Sequence, residues 1–461
     1  MTDFFISRRH FLAGSGAMVM MPGTTFAAPP EVLVAKIAQA QIAPDSYPPT
    51  SIYSYNGQFP GPMIRAKQGE RITRELVNDL PVPTSIHWHG IRIDNTMDGV
   101  AGLTQEAVPP GERFSYDFVV PDAGTYWYHA HTNSMEQVAR GLYGPLIIDE
   151  ANAPDVDRDE VLMLDDWRLD PETAQIDPNF DHPMDRSHAG RYGNLTGTNG
   201  RYGYRLVARV GERLRLRLIN AANARIFRLR LKGLTGWTVA LDGMPLETPV
   251  PVEGEIVLLP AQRADLIVDV TADEAGETMI LRFDDDGQWR EQVGFDLSGS
   301  IALRSTPPTA LSPNPGMSPI DLERATRLEM RMEGGAMGNM PMGRMNGQMM
   351  TFREMVASGM YWTLAGVTGM ADDPFARLAR REHVRVKLIN DTVFPHAMHL
   401  HGHHFREITE GKQGPMRDTI LSLPGDTIEI AFVADNPGKW LFHCHMLGHA
   451  ASGMTTWIEV L

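Results

Sequence analysis

The sequence predicts an all-β chain of three sandwich domains, on three observations. It alternates apolar and charged residues at strand period, it repeats one anchor pattern three times at domain-scale spacing, and it shows no long helical period. The alternation is plainest in Leu214-Arg215-Leu216-Arg217-Leu218. The repeat reads Gly69-Glu70-Arg71-Ile72, Gly211-Glu212-Arg213-Leu214 and Arg381-Glu382-His383-Val384. Eight residues beyond each Glu stands an Asn (Asn78, Asn220, Asn390), preceded by Val or Ile. The anchors lie 142 and 170 residues apart, too far for a solenoid. Gly (43) and Pro (33) are scattered throughout and punctuate short strands rather than long helices.

Length agrees, since 461 residues suit three domains of about 150 each. The expected limits are 28–152, 153–308 and 309–461, with a Met-rich insert over 330–360 in the third. At 43% hydrophobic and 21% charged, the chain can bury a large core. Its formal net charge of −15 repels phosphate and excludes nucleic acid or an anionic membrane as the main partner. The single cysteine, Cys444, rules out an intrachain disulfide and a Cys-rich metal site. That thiol is left as inert core, nucleophile or metal ligand. Against it stand 16 His and 27 Met, plentiful borderline and soft ligands.

The N-terminus reads as an export signal over residues 1–27. Ser7-Arg8-Arg9-His10-Phe11-Leu12 has the twin-arginine form, and the apolar run from Phe11 to Met21 is too short to span a bilayer. Thr25-Phe26-Ala27 offers a cleavage site before Ala28. The mature protein is therefore expected in the periplasm, delivered by the twin-arginine machinery and without membrane insertion.

Histidines pair far beyond chance. Roughly 0.6 H-x-H pairs would arise at random, a number that makes the observed set informative. His87/His89, His129/His131, His399/His401, His401/His403 and His443/His445 all have this form. On a strand, positions i and i+2 share a face, so each pair presents two imidazoles together. His87, Leu229 and His399 stand seventeen residues after the three Glu anchors; His89, Leu231 and His401 stand nineteen after. A second register runs from Gly124 to His129 and from Gly438 to His443, with Gly276 leading to Leu281 in the middle copy. The outer domains thus carry His where the middle one carries core residues.

Cys444 lies between His443 and His445 and so faces the opposite side of that strand. With His449, Met454 and an upstream His396 it has the composition of a blue-copper electron-transfer site. The strand would then join two metal centres through a few covalent bonds, an arrangement suited to one-electron donors and a multi-electron acceptor.

These motifs resemble the multicopper oxidases, particularly bacterial three-domain laccases and periplasmic cuprous oxidases of copper tolerance. The resemblance rests on His87-Trp88-His89-Gly90, on His129-Ala130-His131, on the run His396-Ala397-Met398-His399-Leu400-His401-Gly402-His403, and on His443-Cys444-His445 followed by His449 and Met454. It implies three cupredoxin-like Greek-key β-sandwich domains and four copper ions. Type 1 copper would take His396, Cys444 and His449, with Met454 axial. Type 2 would take His87 and His399, and the type 3 pair His89, His129, His131, His401, His443 and His445. The middle domain would be a ligand-free spacer, His403 and His404 rim residues beside the cluster, and His182 and His188 ordinary surface ones. The family also implies an acid beside the cluster, matched by Asp98 in Asp98-Gly99, and Asp418 resembles an acid beside the type 1 site that binds a cationic substrate. Where bacterial relatives often carry Glu after the last type 1 His, this chain has Ala450.

Ten Met fall within positions 330–360, interleaved with Gly334, Gly335, Gly338, Pro341, Gly343 and Gly347. That much Gly and Pro cannot hold a packed helix. Thioethers select Cu(I), so Met337, Met340, Met342, Met345, Met349 and Met350 are candidate ligands of a cuprous substrate over the type 1 site. A lid without chemistry is the plainer alternative. The expected activity is oxidation of Cu(I), phenols or aromatic amines by dioxygen, in a monomer. A general laccase and a copper-sequestering protein remain alternatives.

Overall fold

A computed structural model describes residues 31–461 except 274–275, 316–317 and 339. The export signal expected over 1–27 lies outside the described residues. The fold is all-β, built as three two-sheet sandwiches, as the alternation and repeat predict. In the first, strands Thr50–Tyr55, Glu31–Ala40, Arg71–Asn78 and Arg113–Val119 face Ile64–Lys67, Tyr143–Asp149, Gly124–Ala130 and Ile86–His89. The middle sandwich sets a six-stranded sheet centred on Arg213–Asn220 and Arg263–Val270 against five strands. The third sets six strands around Glu382–Asn390 against five that include His396–Leu400 and Gly438–Cys444. In every sandwich the first strand pairs in parallel with the strand opening at the repeat: Glu31–Ala40 with Arg71–Asn78, Arg158–Trp167 with Arg213–Asn220, Thr326–Gly334 with Glu382–Asn390.

Each repeated residue has a mechanical reason. The Glu carboxylate turns back to accept from the amide three residues earlier, Glu70 from Lys67 (2.8 Å), Glu212 from Arg209 (2.9 Å) and Glu382 from Ala379 (2.7 Å), clamping the turn into the strand. The residue before it has positive φ, Gly69 at 82°, Gly211 at 83° and Arg381 at 66°, so the third copy uses Arg where Gly is easiest. The Asn closes the strand's far end. Its amide donates to loop carbonyls, Asn78 to Val82 and Val108, Asn220 to Arg225 and Leu258, Asn390 to Phe394 and Ser422. Its oxygen accepts from the amide two residues on, at Leu80, Ala222 and Thr392. All three Asn are fully buried, and these bonds satisfy the peptide groups that turn away from the sheet just before the strands that carry His87, Leu229 and His399.

Alternation in Arg213–Asn220 predicts one solvated face, yet all eight residues are buried. Leu214, Leu216 and Leu218 fill the middle core, while Arg213, Arg215 and Arg217 point at the first sandwich and the chain that follows. Burial is tolerated because each guanidinium is paired: Arg213 with Asp269 (2.6 Å), Arg215 with Asp265 (2.6 Å) and Glu150 (2.7 Å), Arg217 with Asp159 (2.7 Å) and the Thr125 hydroxyl (2.9 Å). The middle register also needs correction. Leu229 stands opposite Arg282, one residue beyond Leu281, in a regular antiparallel pairing.

One apolar cluster runs through both outer sandwiches, from Leu33, Leu76 and Trp88 to Met330, Met398 and Phe442. The side chains of Asn95 and Asn436 tie them further, donating to the Lys439 and Ile93 carbonyls. No helix among the described residues is long and apolar enough to cross a membrane.

Candidate metal centre

Strand pairing brings the histidines together. His87 stands opposite His129 in the first sandwich, and His399 opposite His443 in the third. Two stacked pairs cross the boundary, His87 on His401 and His89 on His399, each with centroids 3.9 Å apart. His131 lies beside His401 and His443, and His445 beside His89 and His129. Nitrogens of His87, His399 and His401 lie within 4.8 Å of one another, as do those of His131, His401 and His443, and of His87, His89 and His129. The eight imidazoles form a single cluster, four from each outer sandwich.

Backbone carbonyls set the rings' orientation. Nδ1 of His87 donates to Asp98 (2.8 Å), of His129 to Ala130 (3.0 Å), of His399 to Asp418 (2.9 Å) and of His443 to Cys444 (2.9 Å). A proton fixed on Nδ1 leaves Nε2 as a bare lone pair aimed inward. Nε2 of His87, His129 and His399, and both nitrogens of His89 and His445, are buried without a hydrogen-bond partner among the described residues. Buried polar atoms are rarely left so, and converging neutral imidazoles fit copper. Burial first, and neighbouring imidazoles second, hold His129, His401 and His445 far below the ordinary range, and His131 at about 3.

The second set uses the other nitrogen. His396 and His449 turn Nδ1 toward Cys444 Sγ, at 3.8 and 3.7 Å, and lie 3.1 Å from each other. Their Nε2 atoms are held from outside, His396 by the Thr392 hydroxyl (2.8 Å) and His449 by the His188 carbonyl (2.5 Å). The Trp362 ring covers both, 5.2 Å from His396 and 4.4 Å from His449. Met454 is fully buried, and its carbonyl accepts from the Cys444 amide. Burial pushes the Cys444 thiol up to about 12, so a thiolate here needs a cation beside it. One sulfur and two imidazoles, with a buried Met joined to the same strand, fit the donor set of a blue-copper centre.

Because these rings are buried neutral, the metal-free protein should weaken in acid. Burial lowers His403, His404 and His449 to about 4, against 6.5 in the unfolded chain. A depressed imidazole contributes stability that is present above pH 6.5 and lost as pH falls toward 4, by about 1.4 kcal/mol per pH unit per group. Urea unfolding of metal-free protein at pH 7.5 and 4.5 checks this; equal midpoints would mean that the rings are solvated.

Asp98 sits inside the cluster's wall. Its carboxylate meets His401 Nδ1 at 3.0 Å while its carbonyl holds His87, and it is 1% exposed. Gly99 is required beside it, with φ at 84° and the Ile86 carbonyl 1.7 Å from where a Cβ would stand. Asp418 does not stand at a substrate surface, which corrects the expectation. It is fully buried, clasped by Arg263 at 2.6 and 2.9 Å, with its carboxylate 3.4 Å from His399 and 3.6 Å from His89. The guanidinium holds it well below the usual carboxylate range, although burial opposes this. Ala450 ends the short helix Leu447–Ala450 and presents no acid.

The Met-rich stretch is ordered rather than a bare loop. Strands Met342–Met345 and Gln348–Thr351 form a hairpin, and helix Phe352–Ala357 follows with a Thr351/Glu354 capping box. Hairpin register puts Met342 and Met349 on one face and Met345 and Met350 on the other. Met337, Met342 and Met349 are exposed. Met340 is not a collector: its thioether is buried and accepts from the Thr363 hydroxyl at 3.3 Å. The stretch meets the sulfur site at one end, where Ala336 donates to the Ser187 carbonyl and Gly335 packs on Trp362.

Sequence reasoning missed what the middle sandwich contributes. Arg263, Asp242 and the His188 carbonyl all come from it, so it is more than a spacer. His188 is no ordinary surface residue, since its carbonyl fixes His449 and its ring lies on Phe394. No spacing rule reports a backbone carbonyl. The Arg263–Asp418 pair also falls outside any local motif.

Two multicopper oxidase family profiles match residues 36–153 and 344–461. The chain is 31% identical over 447 residues to the multicopper oxidase MmcO of Mycobacterium tuberculosis, covering 90% of this chain and 84% of that protein. It is 27% identical to a copper resistance protein A homolog of Pseudomonas syringae pv. tomato, covering 88% of each. The crystal structure of Lac15 from a marine microbial metagenome superposes with a TM-score of 0.75 at 39% identity, over 94% of this chain and all of that one.

Proposed function

The chain belongs to the multicopper oxidase family, and from that premise we propose that it couples four one-electron oxidations of substrate to reduction of dioxygen to water, with Cu(I) as a principal reductant. In this reading His396, Cys444 and His449, with Met454, would hold type 1 copper, and His87 and His399 would hold type 2. The type 3 pair takes His89, His129, His131, His401, His443 and His445, which makes four ions over domains kept at 28–152, 153–308 and 309–461. Copper, when bound, supplies one-electron exchange at the sulfur site and dioxygen reduction at the imidazole cluster.

The protein's own residues do the rest. Cys444 faces one site while its chain neighbours, His443 and His445, face the other, and this covalent junction is the observation that carries the proposal. The His188 carbonyl and the Thr392 hydroxyl fix the two outer rings, so little reorganisation accompanies electron uptake. Asp98 orients His87 and His401 together and stands where a proton can be passed inward. Burial keeps bulk water from the cluster.

Cu(I) is favoured by the exposed thioethers of Met337, Met342 and Met349, on a stretch that meets the sulfur site's surroundings at Gly335 and Ala336, by the acidic surface and by the copper-resistance relatives. Periplasmic export by the twin-arginine route, and action as a monomer, complete the proposal. The test is a variant with Met337, Met342 and Met349 all replaced by Ser, assayed for oxygen uptake with Cu(I) and with a phenol. These exposed changes should alter stability by only about 0.5 kcal/mol each. Cu(I) oxidation should fall several-fold while phenol oxidation persists. Equal rates on both substrates would make the protein a general laccase, and copper uptake without oxygen consumption by the unaltered enzyme would make it a sequestering protein.

A further inference from the structure

His404 is not used by either copper site, yet it is the most unusual ring left over. It is 6% exposed, and neither ring nitrogen has a hydrogen-bond partner among the described residues. On its inner side Nε2 lies 3.8 Å from Asp418 Oδ2, and that carboxylate borders His399 and His89 of the cluster. On its outer side it lines a cavity of about 20 Å³ together with Arg92, Ser318, Ile320, Met416, Val433 and Asp435. That volume holds about one water. Ser318 is exposed and Asp435 partly so, which places the cavity at the surface.

We propose that His404 is the residue through which protons pass from solvent to the dioxygen-reducing cluster. The inference rests on the oxidase reading above. Reduction of one dioxygen to two waters consumes four electrons and four protons, and the protons must cross a buried wall. The ring takes a proton from the cavity water on one nitrogen, releases one from Nε2 toward Asp418, and resets by exchanging tautomers, so its net charge is unchanged after each transfer. Asp418, clasped by Arg263, fixes the ring's aim without itself being protonated, and the proton passes along its edge to reduced dioxygen in the cluster, which it borders through His399 and His89. The charged groups facing His404 are Asp418 and Asp122, which favour its protonated form, and Arg92 and Arg263, which oppose it. Asp435 lies at the mouth, 3.6 Å from Arg92, and Arg92 is itself tied to Asp122 at 2.6 Å. Burial above all, with the two guanidiniums, outweighs the two carboxylates and keeps the resting ring neutral, as a relay that must reload requires.

The test uses copper-loaded enzyme and the variants His404→Gln and His404→Phe. Anaerobic bleaching of the blue band by substrate needs no proton delivery and should be unchanged. Oxygen uptake should fall on the order of a hundredfold, the lower end of what a positioned proton donor contributes. The loss should deepen as pH rises, with a larger solvent deuterium isotope effect. If both variants keep the wild-type rate, pH profile and isotope effect, the proposal is overturned. If they fail to load copper, the decision passes to the unaltered holoenzyme, through C2-hydrogen exchange of each histidine followed by mass spectrometry. His404 should then exchange with solvent far faster than the cluster rings and titrate with pH; protection equal to theirs overturns the proposal. Wild-type enzyme that bleaches but consumes no oxygen would instead remove the oxidase reading itself.

Discussion

Cys444→Ser should abolish the blue absorption and reduce oxidation of every substrate to background, while the imidazole cluster still takes up its three ions. The sulfur is the one soft anionic donor available at that site, and a buried hydroxyl cannot replace it. Burial already pushes the thiol up to about 12, and an alcohol is far harder to ionise in the same place. The exchange removes no volume to speak of, and the neighbouring His443 and His445 keep the carbonyl and ring contacts that orient them. Stability should therefore change by only about 1–3 kcal/mol, the cost of burying an unpaired hydroxyl. Absorption, copper content per chain and oxygen uptake decide the matter together. A blue band surviving in the variant would mean that the sulfur is not a ligand. Loss of all copper would mean that the two sites are not separable.

This separability was visible in the sequence because strand period turns an H-C-H triplet into a two-sided device. The same logic made the Glu and Asn repeat legible before their work was known: the clamp and the loop bonds recur because each sandwich turns its chain identically. Alternation alone does not show that the charged face of Arg213, Arg215 and Arg217 meets another part of the protein instead of water. A period records which residues share a face; it cannot say what that face touches. Asp418 shows the same limit. The resemblance implies an acid beside the type 1 site that binds a cationic substrate, and only the fold brings Arg263 to it from 155 residues away. Composition alone cannot distinguish buried Met340 and Met355 from exposed Met342 and Met349 in the Met-rich stretch.

Arg263→Met is expected to be the most destabilising single change, because this guanidinium joins all three sandwiches at the cluster's edge. It lies in the middle sandwich, donates to the Thr125 carbonyl of the first at 3.2 Å and clasps Asp418 of the third with both terminal nitrogens. Asp242, also buried, accepts from the amides of Arg263, Asp418 and Thr419. Space is equally committed, since a Cβ at Gly90 would stand 2.2 Å from Arg263 Nη2. Removing the cation leaves two buried carboxylates facing each other, and breaking a buried pair this way costs about 3–5 kcal/mol. Asp418 should then rise from its depressed range, because desolvation would act without its counter-charge. Adding Asp418→Asn to Arg263→Met removes one stranded charge, so the double variant should be more stable than the single one. Urea midpoints of wild type and the two variants at pH 7.5 measure this. A loss below about 1 kcal/mol in Arg263→Met, or a double variant weaker than the single, would mean that water or another cation neutralises Asp418. The histidines give the same experiment a second readout. His399 donates to the Asp418 carbonyl and His89 faces its carboxylate, so the double variant, once refolded with copper, should keep its blue band but show altered spectra from the cluster.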